Sequence, residues 1–125
     1  MPITMHYAGA LALIYLVLSL RVIQGRMGKA GPSLGDGGDN AMLRRIRAHG
    51  NFSEYVPLIL IMMGFLESNG LSSTLLHALG GAIVVARLLH GYAFAFTQNW
   101  PFGRSAGAGL TMIVLATSGV LCLIR

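Results

Sequence analysis

Arg47, Asn51, Glu54 and Tyr55 fall at positions i, i+4, i+7 and i+8. At 3.6 residues per turn, that spacing sets all four on one face of a helix. The same helix continues into residues 55–66, which contain no Asp, Glu, Lys or Arg. Ionisable groups are expensive in such apolar surroundings, so they turn toward a protein interior or a water-filled cavity. Arginine grips carboxylates bidentately, and Glu54 can pair with an ammonium group. These side chains suit a small zwitterion with more than one carboxylate. Arg87 and His90, three residues apart with Tyr92 close by, add a second polar patch, and Arg104 stands at the start of the last apolar stretch. The plainer alternative makes Arg47 and Glu54 structural, paired with each other or with Arg87 to close a bundle.

The elements that must hold these residues follow from the apolar runs. Of 125 residues, 54% are hydrophobic and only 10% charged, where a soluble domain carries about 25% charged. Residues 1–20, 68–86 and 105–124 carry no Asp, Glu, Lys or Arg, and each is about the length a spanning helix needs. The fourth run, 55–66, spans only if its helix starts near Asn40 and takes the arginines with it. The expected fold is an all-α integral membrane four-helix bundle, a single domain over 1–125 with helices at about 4–24, 40–68, 72–96 and 104–123. Asp39 or Asn40 is an N-cap candidate for the second helix and Ser72 or Ser73 for the third. Asn69-Gly70 makes the turn between them. Residues 25–40 hold six glycines, Pro32, Ser33 and two aspartates, a composition that breaks a helix.

The net charge of +5 is topological rather than a nucleic-acid signal. Arg21, Arg26, Lys29, Arg44, Arg45 and Arg47 cluster between or at the ends of the first two spans, and Arg104 flanks the second connection. The positive-inside rule then places loops 25–39 and 97–103 in the cytoplasm and both termini outside. Arg44 and Arg45 read as lipid-headgroup anchors, Trp100 as part of an aromatic interface belt, and Glu67 as a boundary residue needing no partner. His6 and His77 are read without a specific role, and His49 as a packing contact. The first apolar run lacks a basic segment before it and a small-residue cleavage site after it, so it reads as a retained helix. The histidines lack ligand spacing and Cys122 is the single cysteine, so no metal site is expected. The glycines at 35–38 follow no strand and include no phosphate-binding lysine.

The run Arg47-Ala48-His49-Gly50-Asn51-Phe52-Ser53-Glu54-Tyr55-Val56-Pro57 resembles the signature of the MAPEG superfamily, the membrane-associated proteins in eicosanoid and glutathione metabolism. The family pattern is close to Arg-Ala-x-x-Asn-x-x-Glu-Tyr-x-Pro, and every named position matches. The resemblance extends to a long basic first loop, Arg87-Leu88-Leu89-His90, and an arginine opening the last helix. The compact size is similar to that of small bacterial members, which implies a bacterial inner membrane. The resemblance further implies a homotrimer in membrane lipids, with glutathione as co-substrate bound at subunit contacts. It assigns glutathione binding to Arg26, Arg47, Asn51, Glu54, Tyr55, His90 and Tyr92, and thiol activation to Arg104. The implied function is a glutathione-dependent transferase, or also a peroxidase, acting on lipophilic electrophiles. The alternative is a non-catalytic binding protein of lipid or glutathione from the same family. The segment before Arg104 departs from the tyrosine-rich spacing of leukotriene-forming members, which argues against a leukotriene substrate. Small multidrug transporters also have four helices, but they carry a carboxylate in the first helix, and residues 4–20 have none.

Overall fold

The computed structural model describes residues 2–28 and 31–125; Met1, Lys29 and Ala30 lie outside the described residues. Lys29, counted above with the basic connection, is therefore not placed. Four helices follow in order: α1 (Ile3–Arg26), α2 (Asn40–Ser68), α3 (Ser73–Phe96) and α4 (Pro101–Ile124). No strand occurs among the described residues. α1, α3 and α4 are each long and apolar enough to cross a membrane. α2 has 29 residues and is thus roughly 43 Å long, but it carries Arg44, Arg45, Arg47 and Glu54 in its first half and Glu67 in its last turn.

Local chemistry sets the helix ends. The Asp39 side chain accepts from the Ala41 N–H and starts α2, and Ser72 accepts from the Leu75 N–H to start α3. α4 begins at Pro101, three residues before the sequence reading put it. Proline suits a first helical position because its missing N–H has no intrahelical partner there. At the other end of α2, Leu71 N–H reaches the Leu66 carbonyl and Gly70 N–H reaches that of Glu67. That paired closure needs a left-handed residue, and Gly70 supplies it at φ 79°. Leu66 and Leu71 are both buried, so the turn is closed by an apolar contact as well.

α2 and α3 each touch every other helix, whereas α1 and α4 do not touch each other. α2 and α3 therefore form the central pair, and the other two flank it. α2 buries Ala48, Phe52, Val56, Ile59, Met63 and Leu66, at steps of three and four that keep one stripe on the core. α4 buries Gly103, Gly107, Thr111, Val114 and Ser118, a stripe of mostly small residues. A Cβ at Gly107 would come within 2.7 Å of the Ala86 carbonyl oxygen and of the His90 backbone. Glycine is what lets α4 approach α3 this closely. By contrast α1 buries only Leu11 and Leu18, leaving Leu13, Leu16, Leu20 and Ile23 exposed. Such a surface is a liability in water and the natural surface in lipid.

Polar contacts tie the helices at both ends. Glu67 accepts from the N–H groups of Ile3 and Thr4. The expectation that it needs no partner is thus corrected, because a carboxylate satisfies the orphan donors and the positive dipole end of α1. His77 is likewise engaged, its Nδ1 lying 2.8 Å from the Tyr7 hydroxyl across the α1–α3 seam. His49 stacks on Tyr15 of α1 with ring centroids 4.7 Å apart, in line with a packing contact.

Candidate functional site

The α2 polar face lies one residue behind the buried stripe. Ala48, Phe52 and Val56 point into the core, so Arg47, Asn51 and Tyr55 follow its edge and Glu54 turns outward. Asn51 and Tyr55 are half-buried, whereas Arg47 and Glu54 are exposed. Arg47 Nη1 lies 3.5 Å from Glu54 Oε1, with side-chain exposures of 49% and 51%. This is the sole carboxylate–cation pair among the described residues. It is long, and an exposed pair of this kind stabilises a fold by about 0–1 kcal/mol.

Behind that face sits Arg87 of α3, with no solvent exposure at all. Its Nη1 donates to Asn51 Oδ1 at 2.8 Å and to Thr111 Oγ1 of α4 at 3.4 Å. Its Nη2 lies 3.3 Å from His90 Nδ1. The guanidinium carbon is 5.5 Å from the Phe52 ring centroid. One cation thereby joins α2, α3 and α4, and its Nε has no protein partner among the described residues.

Arg104 is exposed in the first turn of α4. Its guanidinium carbon is 5.7 Å from the Phe94 ring centroid, and that of Arg44 is 4.9 Å from the same ring. Phe94 in turn lies 4.8 Å from the His90 ring. A helix N-terminus carries partial positive charge, so the arginine and the helix end reinforce each other and favour an anion there. An apolar groove of about 250 Å³ runs between α1 and α2, lined in part by Tyr15, Phe52, Ser53 and Pro57, on the flank of the polar face.

The structure pairs Arg47 with Glu54, leaves Tyr55 half-buried on the same α2 face, sets Arg104 against Phe94, and hydrogen-bonds Asn51 and His90 to the Arg87 node. It does not bring Arg26 and Tyr92 to it within one chain. Arg26 donates to the carbonyls of Pro32 and Gly35 and pins its own loop. Tyr92 stacks on Phe96 and meets Trp100 edge-on, because two residues past His90 a helix has turned to its far side. Thr111 and the central place of Arg87 were missed by spacing arguments. A lone intramembrane arginine was the available signal, whereas a threonine in an apolar helix gives none.

Arg44 and Arg45, read as headgroup anchors, each place part of their donors on backbone. Arg44 donates to the carbonyls of Ala93 and Thr97, Arg21 to that of Ala95, and Arg45 to that of Arg21. The last carbonyls of a helix lack intrahelical donors and carry partial negative charge, so the Arg21 and Arg44 guanidinium groups are drawn to the end of α3, while Arg45 meets α1.

A model of the MAPEG family matches residues 4–124. The chain is 36% identical over 88 residues to "Inner membrane protein YecN" of Escherichia coli strain K12, covering 70% of this chain and 66% of that protein. The YecN of E. coli O6:H1 strain CFT073 matches to the same extent. The chain thus aligns with slightly less than two thirds of these relatives' length. No solved structure matches it.

Proposed function

The chain belongs to the MAPEG family, and we propose that it is a glutathione-dependent transferase of the bacterial inner membrane, joining glutathione to lipophilic electrophiles. The inner-membrane location of its E. coli relatives supports the placement. In this reading all four helices span, the basic loops 25–39 and 97–103 face the cytoplasm, and three copies assemble around the α2 polar face.

The observation that carries the proposal is the half-exposed Arg47–Glu54 pair backed by the buried Arg87–Asn51–His90 network. Charges so exposed on an apolar helix cannot face lipid cheaply. A neighbouring copy and a zwitterionic tripeptide would cover them. Arg47 takes a carboxylate of glutathione, Glu54 its ammonium group, and Asn51 and Tyr55 complete the hydrogen bonds. Arg26 and Tyr92, held elsewhere within one chain, join this face from an adjacent copy.

Chemistry then falls to Arg104. A thiolate is the nucleophile, and a thiol near its ordinary pKa of about 8.5 is mostly protonated at neutral pH. A guanidinium within about 4–6 Å favours the anion, and the α4 N-terminus adds to it. The thiolate attacks the electrophilic carbon, a C–S bond forms, and the leaving group departs with the bonding pair. The α1–α2 groove offers the electrophile an apolar approach to the polar face.

The test is glutathione conjugation to a chlorinated nitroaromatic by the detergent-solubilised protein, alongside Arg104→Ala. The expected result is turnover in the parent and a loss of about 10- to 1,000-fold in the variant, matching a thiol pKa change of roughly one to three units. If both proteins bind glutathione and neither turns it over, the non-catalytic alternative stands. If neither binds glutathione, the site assignment fails.

A further inference from the structure

A second basic site lies at the end of the bundle where α1 and α3 finish and α2 begins. A cavity of about 570 Å³ opens there, lined by Arg21, Arg44, Arg45, Asn40, Gln98 and Asn99 among others. None of its lining residues is acidic. The nearby carboxylates in sequence, Asp36 and Asp39, accept from the backbone N–H groups of Gly38 and Ala41. Each guanidinium spends only part of its five donors on protein. Arg45 uses one, on the Arg21 carbonyl, and Arg44 uses two, on the carbonyls of Ala93 and Thr97. Carbonyl contacts orient the three cations but leave their charge uncompensated, and none has a carboxylate partner among the described residues. Like charges converging in a partly desolvated cavity call for a counter-anion.

A mostly apolar groove of about 150 Å³ between α1 and α3 begins beside this cavity, lined by Ile14, Val17, Leu18, Leu88 and Tyr92, with Arg87 also at its wall. Phe96 lines both spaces, and its ring carries the Arg21 guanidinium 4.5 Å from its centroid. A cationic pocket at a helix end, followed along the helices by an apolar channel, has the polarity of a phospholipid: phosphate first, acyl chain after. Basic pockets between transmembrane helices take anionic headgroups in this way. We propose that Arg21, Arg44 and Arg45 form a binding site for the phosphate of an anionic phospholipid, one acyl chain of which lies in the α1–α3 groove. The three cations are distinct from the Arg47–Glu54 pair, although the groove shares Arg87 and Tyr92 with the residues placed around that face.

The experiment is native mass spectrometry of the full chain in mild detergent, titrated with equal amounts of phosphatidylglycerol and phosphatidylcholine. Arg44 and Arg21 also cap α3, so the variant of choice is Arg45→Gln, which loses a single protein contact. A second variant, Val17→Trp, fills the groove from an exposed position without touching the cations. Phosphatidylglycerol should be retained preferentially, Arg45→Gln should cut that preference about fivefold, and Val17→Trp should weaken retention of the lipid. Equal retention of both lipids, or a preference untouched by Arg45→Gln, overturns the site. If inorganic phosphate displaces the lipid in the parent and Val17→Trp has no effect, the anion is free phosphate and the lipid assignment is wrong. Displacement of the lipid by glutathione would assign the cavity to the thiol and overturn the proposal equally.

Discussion

Arg87 and Arg47 are both arginines on central helices, and their surroundings are opposite. Arg87 is sealed from solvent and shared among Asn51, Thr111 and His90. Arg47 is half-exposed and touches only Glu54, at 3.5 Å. The first charge is solved within one chain, since three helices converge on it and supply acceptors. The second is not, because the outward face of α2 has no helix of the same chain across from it. A polar node that folding completes is a structural device, whereas a polar face left incomplete awaits a ligand or another copy. The plain reading in which Arg47 pairs with Glu54 is therefore correct in geometry but too weak to account for two charges in an apolar setting.

Arg87→Leu breaks the comparison most severely. It strands the acceptors of Asn51 and His90, each at a cost of about 1–3 kcal/mol, and should lower the melting temperature in detergent sharply. Adding Asn51→Leu should recover part of that loss, since replacing a whole buried polar set is far less harmful than removing one member. Next in size, Arg47→Gln should weaken glutathione binding by about 10- to 100-fold, the equivalent of one charge-assisted hydrogen bond of about 1.5–3 kcal/mol; calorimetric titration measures it. Unchanged affinity would make Arg47 a mere surface charge. Gly107→Ala sharpens the comparison from the α4 side. The added methyl meets the Ala86 carbonyl and the His90 backbone, forcing α3 and α4 apart at about 1–3 kcal/mol, with stability falling before glutathione affinity. Smallest of all, Arg47→Gln should change thermal stability by about 0–1 kcal/mol, and a large drop would place Arg47 with Arg87 as a structural group.

The two ends of the bundle repeat the contrast at lower stakes. At one end Glu67 closes the start of α1, and at the other Arg21 and Arg44 close the finish of α3. Both exploit the helix dipole, with the sign of the side chain matched to the helix end it meets. The acidic end is discharged by this pairing, since one carboxylate meets two N–H groups. The basic end is not, since several guanidinium groups meet neutral carbonyls, and it retains the charge from which the second site is inferred.

The sequence by itself determined that the chain is a membrane protein of four helices, three of them long and apolar enough to span. Apolar run length, the glycine-rich connection and cap candidates at 39–40 and 72–73 are local properties, and local properties survive without knowledge of packing. It also determined that Arg47, Asn51, Glu54 and Tyr55 share a face, because helical periodicity alone requires it. Only the tertiary structure decided that Arg87 is the centre of the polar network and that Thr111 is its partner. It alone showed Arg44 and Arg45 turning to backbone carbonyls and Glu67 to the start of another helix. Those outcomes depend on which helices are neighbours and on how closely they approach, as at Gly107. Interhelical register is a property of packed surfaces, and no residue spacing along one helix encodes it.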